Sequence, residues 1–175
     1  GNMYGIMITA SHNHRDDNGI KLMNRNGEMI CKEDEKYKKY YINNFNDLKK
    51  TKCIHIPLIH IGYDTRESSP NICGLIERGI LKYSDTAILI NHGLVTTPQL
   101  HYIVYKYLKL IKDNYLDIIC KLVRKINYKV IIDCSNGIGG KVLMELKEIV
   151  PDCSFKIINT NYDLLNHECG SDYVL

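Results

Sequence analysis

Near the start of this 175-residue chain an apolar run, Ile6, Met7 and Ile8, ends abruptly in Thr9, Ala10, Ser11, His12 and Asn13. Ser11 supplies a hydroxyl, His12 an imidazole and Asn13 an amide, and Lys21 adds an amine after Asp17, Asn18, Gly19 and Ile20. A serine hydroxyl is a weak nucleophile by itself, so it needs a rigid element behind it and acid–base groups beside it. His12 and Lys21 can each move a proton or hold an anion. If Asn18-Gly19 turns the chain back, Lys21 returns toward Ser11. The same serine could equally be a simple cap or turn residue after a strand.

A second polar cluster, Asp64, Thr65, Arg66, Ser68 and Ser69, follows another apolar run and precedes a helical pattern. Arg66 could hold a phosphate there, helped by the helix N-terminus. It could also pair with Asp64 and only fix the loop. Two further patterns carry less. Asn24, Asn26, Gly27 and Glu33 sit at calcium-loop positions, but the first ligand position holds Leu22, which has no side-chain oxygen, so no calcium site is expected. Gly137, Gly139 and Gly140 follow a strand, yet Val142 stands where a dinucleotide fingerprint needs a small residue, so a tight strand-to-helix turn is expected.

The elements that position these groups follow from hydrophobic period and turn chemistry. Residues 4–9 read as a buried strand, and 20–23 and 28–30 as a hairpin around Asn26-Gly27. Tyr37, Tyr41, Phe45 and Leu48 recur at helical spacing over 33–48. Residues 54–61 alternate as a strand, which Pro57 marks as an edge or a weak prediction. A helix is expected over 69–83, opened by Ser69-Pro70, then a strand over 87–90 and a loop over 93–97. Pro98 starts a helix carrying Leu100, Val104 and Tyr107, and Asn114 caps another. A strand over 130–134, a helix to about 149 and a strand over 155–158 complete the pattern. Strands alternating with helices predict an α/β fold: a mixed, largely parallel sheet with helices on both faces. Lys112-Asp113-Asn114 interrupts the apolar pattern, which puts a domain boundary between 1–112 and 113–175.

The composition is that of a globular protein, 45% hydrophobic and 25% charged with a net charge of +3. No apolar run reaches the roughly 20 residues needed to span a bilayer, so no membrane is expected as a partner. Lysines and tyrosines intermingle at 36–41, but Glu33, Asp34 and Glu35 beside them favour a solvated helix face over a nucleic-acid surface. The seven cysteines are odd in number, scattered and free of C-x-x-C, which points to reduced thiols and a cytoplasmic protein.

Segments 5–21, 61–69, 93–102, 133–140 and 165–174 together resemble, in order, the α-D-phosphohexomutases, with 93–102 similar to the acetylglucosamine branch. The resemblance implies domain 1 of that fold over 1–112, incomplete at its N-terminus. Over 113–175 it implies the start of a similar domain 2, ending before a D-x-D-x-D-R metal loop. It implies interconversion of N-acetylglucosamine 6-phosphate and 1-phosphate through a phosphoserine and a bisphosphate, feeding UDP-N-acetylglucosamine synthesis. Ser11 then carries the phosphoryl group, Lys21 is the general acid/base, and His12 and Asn13 steady the phosphate. Arg66 lies near the phosphate or is structural. Mg2+ is the implied cofactor, held by the phosphate on Ser11 and by aspartates outside this chain. A hexosamine phosphate is the implied substrate, and further domains of the same enzyme are the implied partners, so the chain alone is expected to be inactive. Family loops have proline where His14 stands, a change in loop stiffness that leaves the nucleophile intact. The alternatives are a phosphoglucomutase or phosphomannomutase, or a non-catalytic mutase remnant acting as an interaction module.

Overall fold

The structure is a computed structural model that describes residues 3–10, 13–31, 36, 56–109, 113–122, 129–150, 155–170 and 173. The chain runs β1 (Met3–Ile8), β2 (Ile20–Met23), β3 (Leu58–Tyr63), α1 (Ser69–Tyr83), β4 (Ile88–Leu94) and α2 (Thr97–Lys109). It continues through α3 (Tyr115–Leu122), β5 (Val130–Asp133), α4 (Gly139–Ile149), β6 (Phe155–Ile158) and a 3-10 turn at Tyr162–Leu164.

The first four strands form one sheet in the order β2-β1-β3-β4. β1 pairs in parallel with β3, from Met3 opposite Leu58 to Ile8 opposite Tyr63, and β3 pairs in parallel with β4. β2 adds an antiparallel edge, with Met7 opposite Lys21. A mixed, largely parallel sheet is therefore what the α/β pattern predicted. Side chains alternate across it, and each face buries its own cluster. Met7, Met23 and Leu100 pack with Val95 on the α2 side, while Ile8, Ile61 and Cys73 pack with Ile72 and Ile76 on the α1 side. Gly5 and Gly62 lie on the α2 face, where a Cβ on Gly5 would come within 2.9 Å of Val104 and one on Gly62 would overlap Val95. Their lack of a side chain lets α2 settle close to the sheet. β5 and β6 form a separate parallel pair, joined by α4.

Three expectations shift. The strand predicted over 54–61 begins at Leu58 and lies between β1 and β4. Pro57 stays just outside its ladder and still lends its carbonyl to Ile88 N at 2.9 Å, so a proline that suggested an edge instead marks the start of a central strand. β4 continues to Leu94, into the first two residues of the predicted loop, where Asn91 Oδ1 accepts from Gly93 N at 2.8 Å and Gly93 takes φ +66°. The second arm of the first hairpin is reduced to a Met23–Met29 bridge. The helix predicted over 33–48 lies outside the described residues except at Lys36, which is helical. Among the described residues no helix is long and apolar enough to cross a membrane.

Candidate active site

In a parallel sheet, ligands gather beyond the C-terminal ends of the strands. Here β1 delivers Thr9, Ala10 and the 11–19 loop to that end, and β3 delivers Asp64, Thr65 and Arg66 beside it. Asp64 N donates to Ile8 O at 3.1 Å, which locks the two strand ends together.

A buried acid–base pair organises this corner. Asp64 and Arg66 are 6% and 4% exposed, and Arg66 Nη1 is hydrogen-bonded to Asp64 Oδ2. Burying two charges is tolerable only when the pair is close and its remaining donors and acceptors are met. Asp64 meets this condition: Oδ2 also accepts from Thr9 Oγ1 at 2.7 Å, and Oδ1 accepts from Ser69 Oγ at 2.8 Å and Arg66 N at 3.1 Å. Arg66 Nη2 donates to Ala10 O at 2.9 Å and to Asn13 O at 3.0 Å. Asn13 N closes onto Ala10 O at 2.7 Å. The far end of the loop is tied as well, with Asn18 Nδ2 donating to Ser68 Oγ at 3.0 Å and Ser69 Oγ at 2.9 Å. Asn18 Oδ1 accepts from Gly19 N at 2.8 Å, and Gly19 O accepts from Thr9 N at 2.9 Å. His14, in place of a proline, turns its ring to Asp16 N at 3.4 Å, and its carbonyl accepts from Asp17 N at 2.9 Å.

Of the residues expected from sequence, Asn13 and Arg66 meet directly. Ser11 and His12 lie outside the described residues, between the two carbonyls that Arg66 holds. Lys21 is half-buried on β2, opposite Met7. Both possibilities for Arg66 included a nearby carboxylate or phosphate; its contacts are with Asp64 and backbone oxygens. Thr9 and Asn18 were given no side-chain role from sequence, and Ser69 was named only with the second polar cluster and as the opening of a helix. Asn18 carried a signal in its Asn-Gly pair, but its side-chain partners are 50 and 51 residues away.

The second unit forms the facing wall. Asn136, 5% exposed, donates to Leu164 O at 2.8 Å and accepts from Asn161 N at 2.8 Å, folding the 159–170 segment over the β5–α4 turn. Ser135, Asn136, Asn159 and Asn166 have positive φ, a region asparagine tolerates better than most residues. That segment brings Asn166 Nδ2 to 3.5 Å from Asn13 O. A cavity of about 720 Å³ opens between the walls, lined by Arg15, Thr65, Glu67, Tyr162 and Asp163 among others. A smaller one of about 380 Å³ runs between Thr9 and Asp64 on one side and Asp133, Ser135 and Gly137 on the other. Gly137 N bonds Cys134 O at 2.8 Å, so the glycine cluster is a tight strand-to-helix turn. Burial and the Asp133 carboxylate push the thiols of Cys134 and Cys169 up, so both stay protonated at neutral pH.

Residues 2–47 match the family described as phosphoglucomutase/phosphomannomutase, alpha/beta/alpha domain I. Over 99% of its length the chain is 33% identical to phosphoacetylglucosamine mutase 1 of Schizosaccharomyces pombe and 33% identical to the Saccharomyces cerevisiae phosphoacetylglucosamine mutase, covering 39% of each. Over 97% of its length it is 30% identical to the human phosphoacetylglucosamine mutase, covering 36% of that protein. Among solved structures, Aspergillus fumigatus N-acetylphosphoglucosamine mutase superposes with a TM-score of 0.81 at 32% identity, over 99% of this chain and 38% of that one. The same enzyme in complex with GlcNAc-6P and magnesium superposes at 0.78 and 29%, over 99% and 38%. The chain thus spans about two fifths of the length of the curated relatives it matches.

Proposed function

This chain is homologous to phosphoacetylglucosamine mutases of the α-D-phosphohexomutase superfamily, and from that premise we propose that it carries the phosphoserine loop of an enzyme interconverting N-acetylglucosamine 6-phosphate and 1-phosphate. The supporting observation is the loop's fastening at the C-terminal edge of two parallel strands, where Arg66 holds Ala10 O and Asn13 O, the carbonyls of the residues that flank Ser11 and His12 in the sequence. Residues 1–112 constitute the domain bearing this loop, and 113–175 begin the next. The free thiols of the described cysteines suit a cytoplasmic setting.

In the first half-reaction the bond between Ser11 Oγ and phosphorus breaks as a sugar hydroxyl oxygen bonds to the same phosphorus. The hydroxyl proton passes by way of Lys21 to the departing Ser11 Oγ. The resulting bisphosphate turns over, its other phosphoryl group returns to Ser11 Oγ, and Lys21 passes the Ser11 hydroxyl proton to the sugar oxygen left behind. His12 and Asn13 steady the phosphoryl oxygens. The product supplies UDP-N-acetylglucosamine synthesis.

Magnesium accompanies GlcNAc-6P in the Aspergillus fumigatus enzyme, and we extend it to the active assembly here. Among the described residues no group of three or more His, Cys, Asp or Glu could hold a metal ion, and Asp64 is fully engaged. These residues therefore do not constitute a magnesium site. This chain's proposed contribution is the phosphate on Ser11, with carboxylates from outside the described residues, and no step above runs through the ion.

The decisive test is phosphopeptide mass spectrometry on protein from its natural source, paired with a coupled mutase assay on the product of the full coding sequence. Phosphate on Ser11 and a loss of turnover of more than about 1,000-fold in Ser11→Ala are expected. Unmodified Ser11 together with a fully active variant rejects the reading. Residues 1–175 alone are expected to give no turnover.

A further inference from the structure

Arg66 was open to two readings from sequence, a phosphate ligand or a loop brace, and the geometry points to the second. We infer that Asp64, Arg66 and Asn18 form a two-point clamp that holds the Ser11 loop in register, with Arg66 and Asn18 acting as positioning residues. The inference rests on the proposed role of Ser11 and deepens it.

The first point of the clamp is Arg66. Its Nη2 reaches Ala10 O at 2.9 Å and Asn13 O at 3.0 Å, the carbonyls on either side of Ser11 and His12. Its Nη1 is spent on Asp64, and the whole side chain is only 4% exposed. A guanidinium bound in this way has both terminal nitrogens committed, Nη1 to the carboxylate and Nη2 to backbone oxygen, while its buried Nε has no partner among the described residues. It faces the loop backbone and leaves little surface for a sugar phosphate.

The second point is Asn18 at the loop's other end, bonded to Ser68 and Ser69 at the start of α1. Ser69, fully buried, passes this link back to Asp64 Oδ1. Thr9, on the strand side, reaches the other oxygen of the same carboxylate at 2.7 Å. One buried carboxylate therefore connects the entry, the middle and the exit of the loop. Such a frame suits a residue whose side chain gains and loses a phosphoryl group in every cycle. Charge at Ser11 changes while the surrounding backbone stays put, so no reorganisation is needed between half-reactions.

The inference is tested on the product of the full coding sequence with Arg66→Ala, Arg66→Lys and Asn18→Ala. Two readouts are taken, amide hydrogen exchange of residues 9–19 and the split of mutase kinetics into kcat and KM. Arg66→Ala and Asn18→Ala are each expected to speed exchange of the Thr9, Asn13 and Gly19 amides at least about 10-fold. They are expected to lower kcat about 10- to 100-fold with KM for the sugar phosphate within about 3-fold. Arg66→Lys is expected to behave like Arg66→Ala, because an ammonium cannot span Asp64 and two carbonyls at once. A phosphate ligand gives the opposite result: KM rises 10-fold or more, Lys restores most of the loss, and loop exchange stays unchanged. Any of those three outcomes overturns the clamp. Should Arg66→Ala fail to fold, the half-buried Asn18→Ala decides. If the unsubstituted protein shows no mutase turnover, the functional reading fails while the exchange measurement still judges the clamp.

Discussion

At the scale of single residues, most buried polar groups are met by a partner, and His60 Nε2 and Arg66 Nε are the exceptions among the described residues. His60 lies fully buried on the α2 side of the sheet, its Nδ1 2.9 Å from His92 Nε2 and its ring 4.6 Å from that of Tyr107. Its Nε2 has no partner among the described residues, so the economical arrangement has His60 donating through Nδ1 and leaving Nε2 as a bare lone pair. Burial, with His92 beside it, lowers the His60 pKa from 6.5 to about 4, and burial with Lys106 nearby lowers that of His92. Between those two values the unfolded chain binds protons that the folded chain refuses, so stability rises with pH across that window. We predict that the urea midpoint is flat above pH 6.5 and falls as pH drops toward 4, with His60→Leu removing the larger part of the slope. An unchanged slope in that variant counts against the buried pair as its source. Arg66 belongs to the same scale. Its type, its place after a strand and its pairing with Asp64 were visible in the sequence, but its grip on Ala10 O and Asn13 O was not.

Elements show how side-chain size sets helix–sheet distance. α1 and α2 approach opposite faces of one sheet, and α2 can do so because positions 5 and 62 carry no side chain. A methyl on Gly62 would collide with Val95 and meet Leu100 at ordinary contact distance. Gly62→Ala is expected to destabilise the fold by about 1–3 kcal/mol by overpacking, measured as a shift in denaturant midpoint at constant m-value. Much of this level was legible. Helix α1 starts and stops where Ser69-Pro70 and its apolar period place it, and Asn114 caps α3 by accepting from Asp117 N at 2.9 Å. The misjudged ends lie at Pro57 and at residues 91–94, where turn-forming residues sit inside or beside a ladder. Local propensity disfavoured them there, and pairing with neighbouring strands prevailed.

For the molecule as a whole, two sheets meet across a cleft whose second wall depends on Asn136. That side chain bridges the β5–α4 turn to Leu164, Asn161 and Cys169. Asn136→Ala removes the acceptor from Asn161 N and one of two donors from Leu164 O, which keeps His167 N, at a cost of about 1–3 kcal/mol. We expect faster proteolytic cleavage within 159–170 in that variant, with the 9–19 loop's exchange little changed because its main anchors lie on Asp64 and α1. Equal cleavage in variant and parent would contradict this role. The division of strands, the helix boundaries and the chemistry-bearing loops were determined by the sequence itself, since period, caps and turn residues act over a few positions. What Arg66 and Asn18 grip was decided only by tertiary structure. Apart from Asp64, two residues from Arg66, their partners stand 50 to 56 residues away, and parallel pairing of β1 with β3 is what brings them within 3 Å.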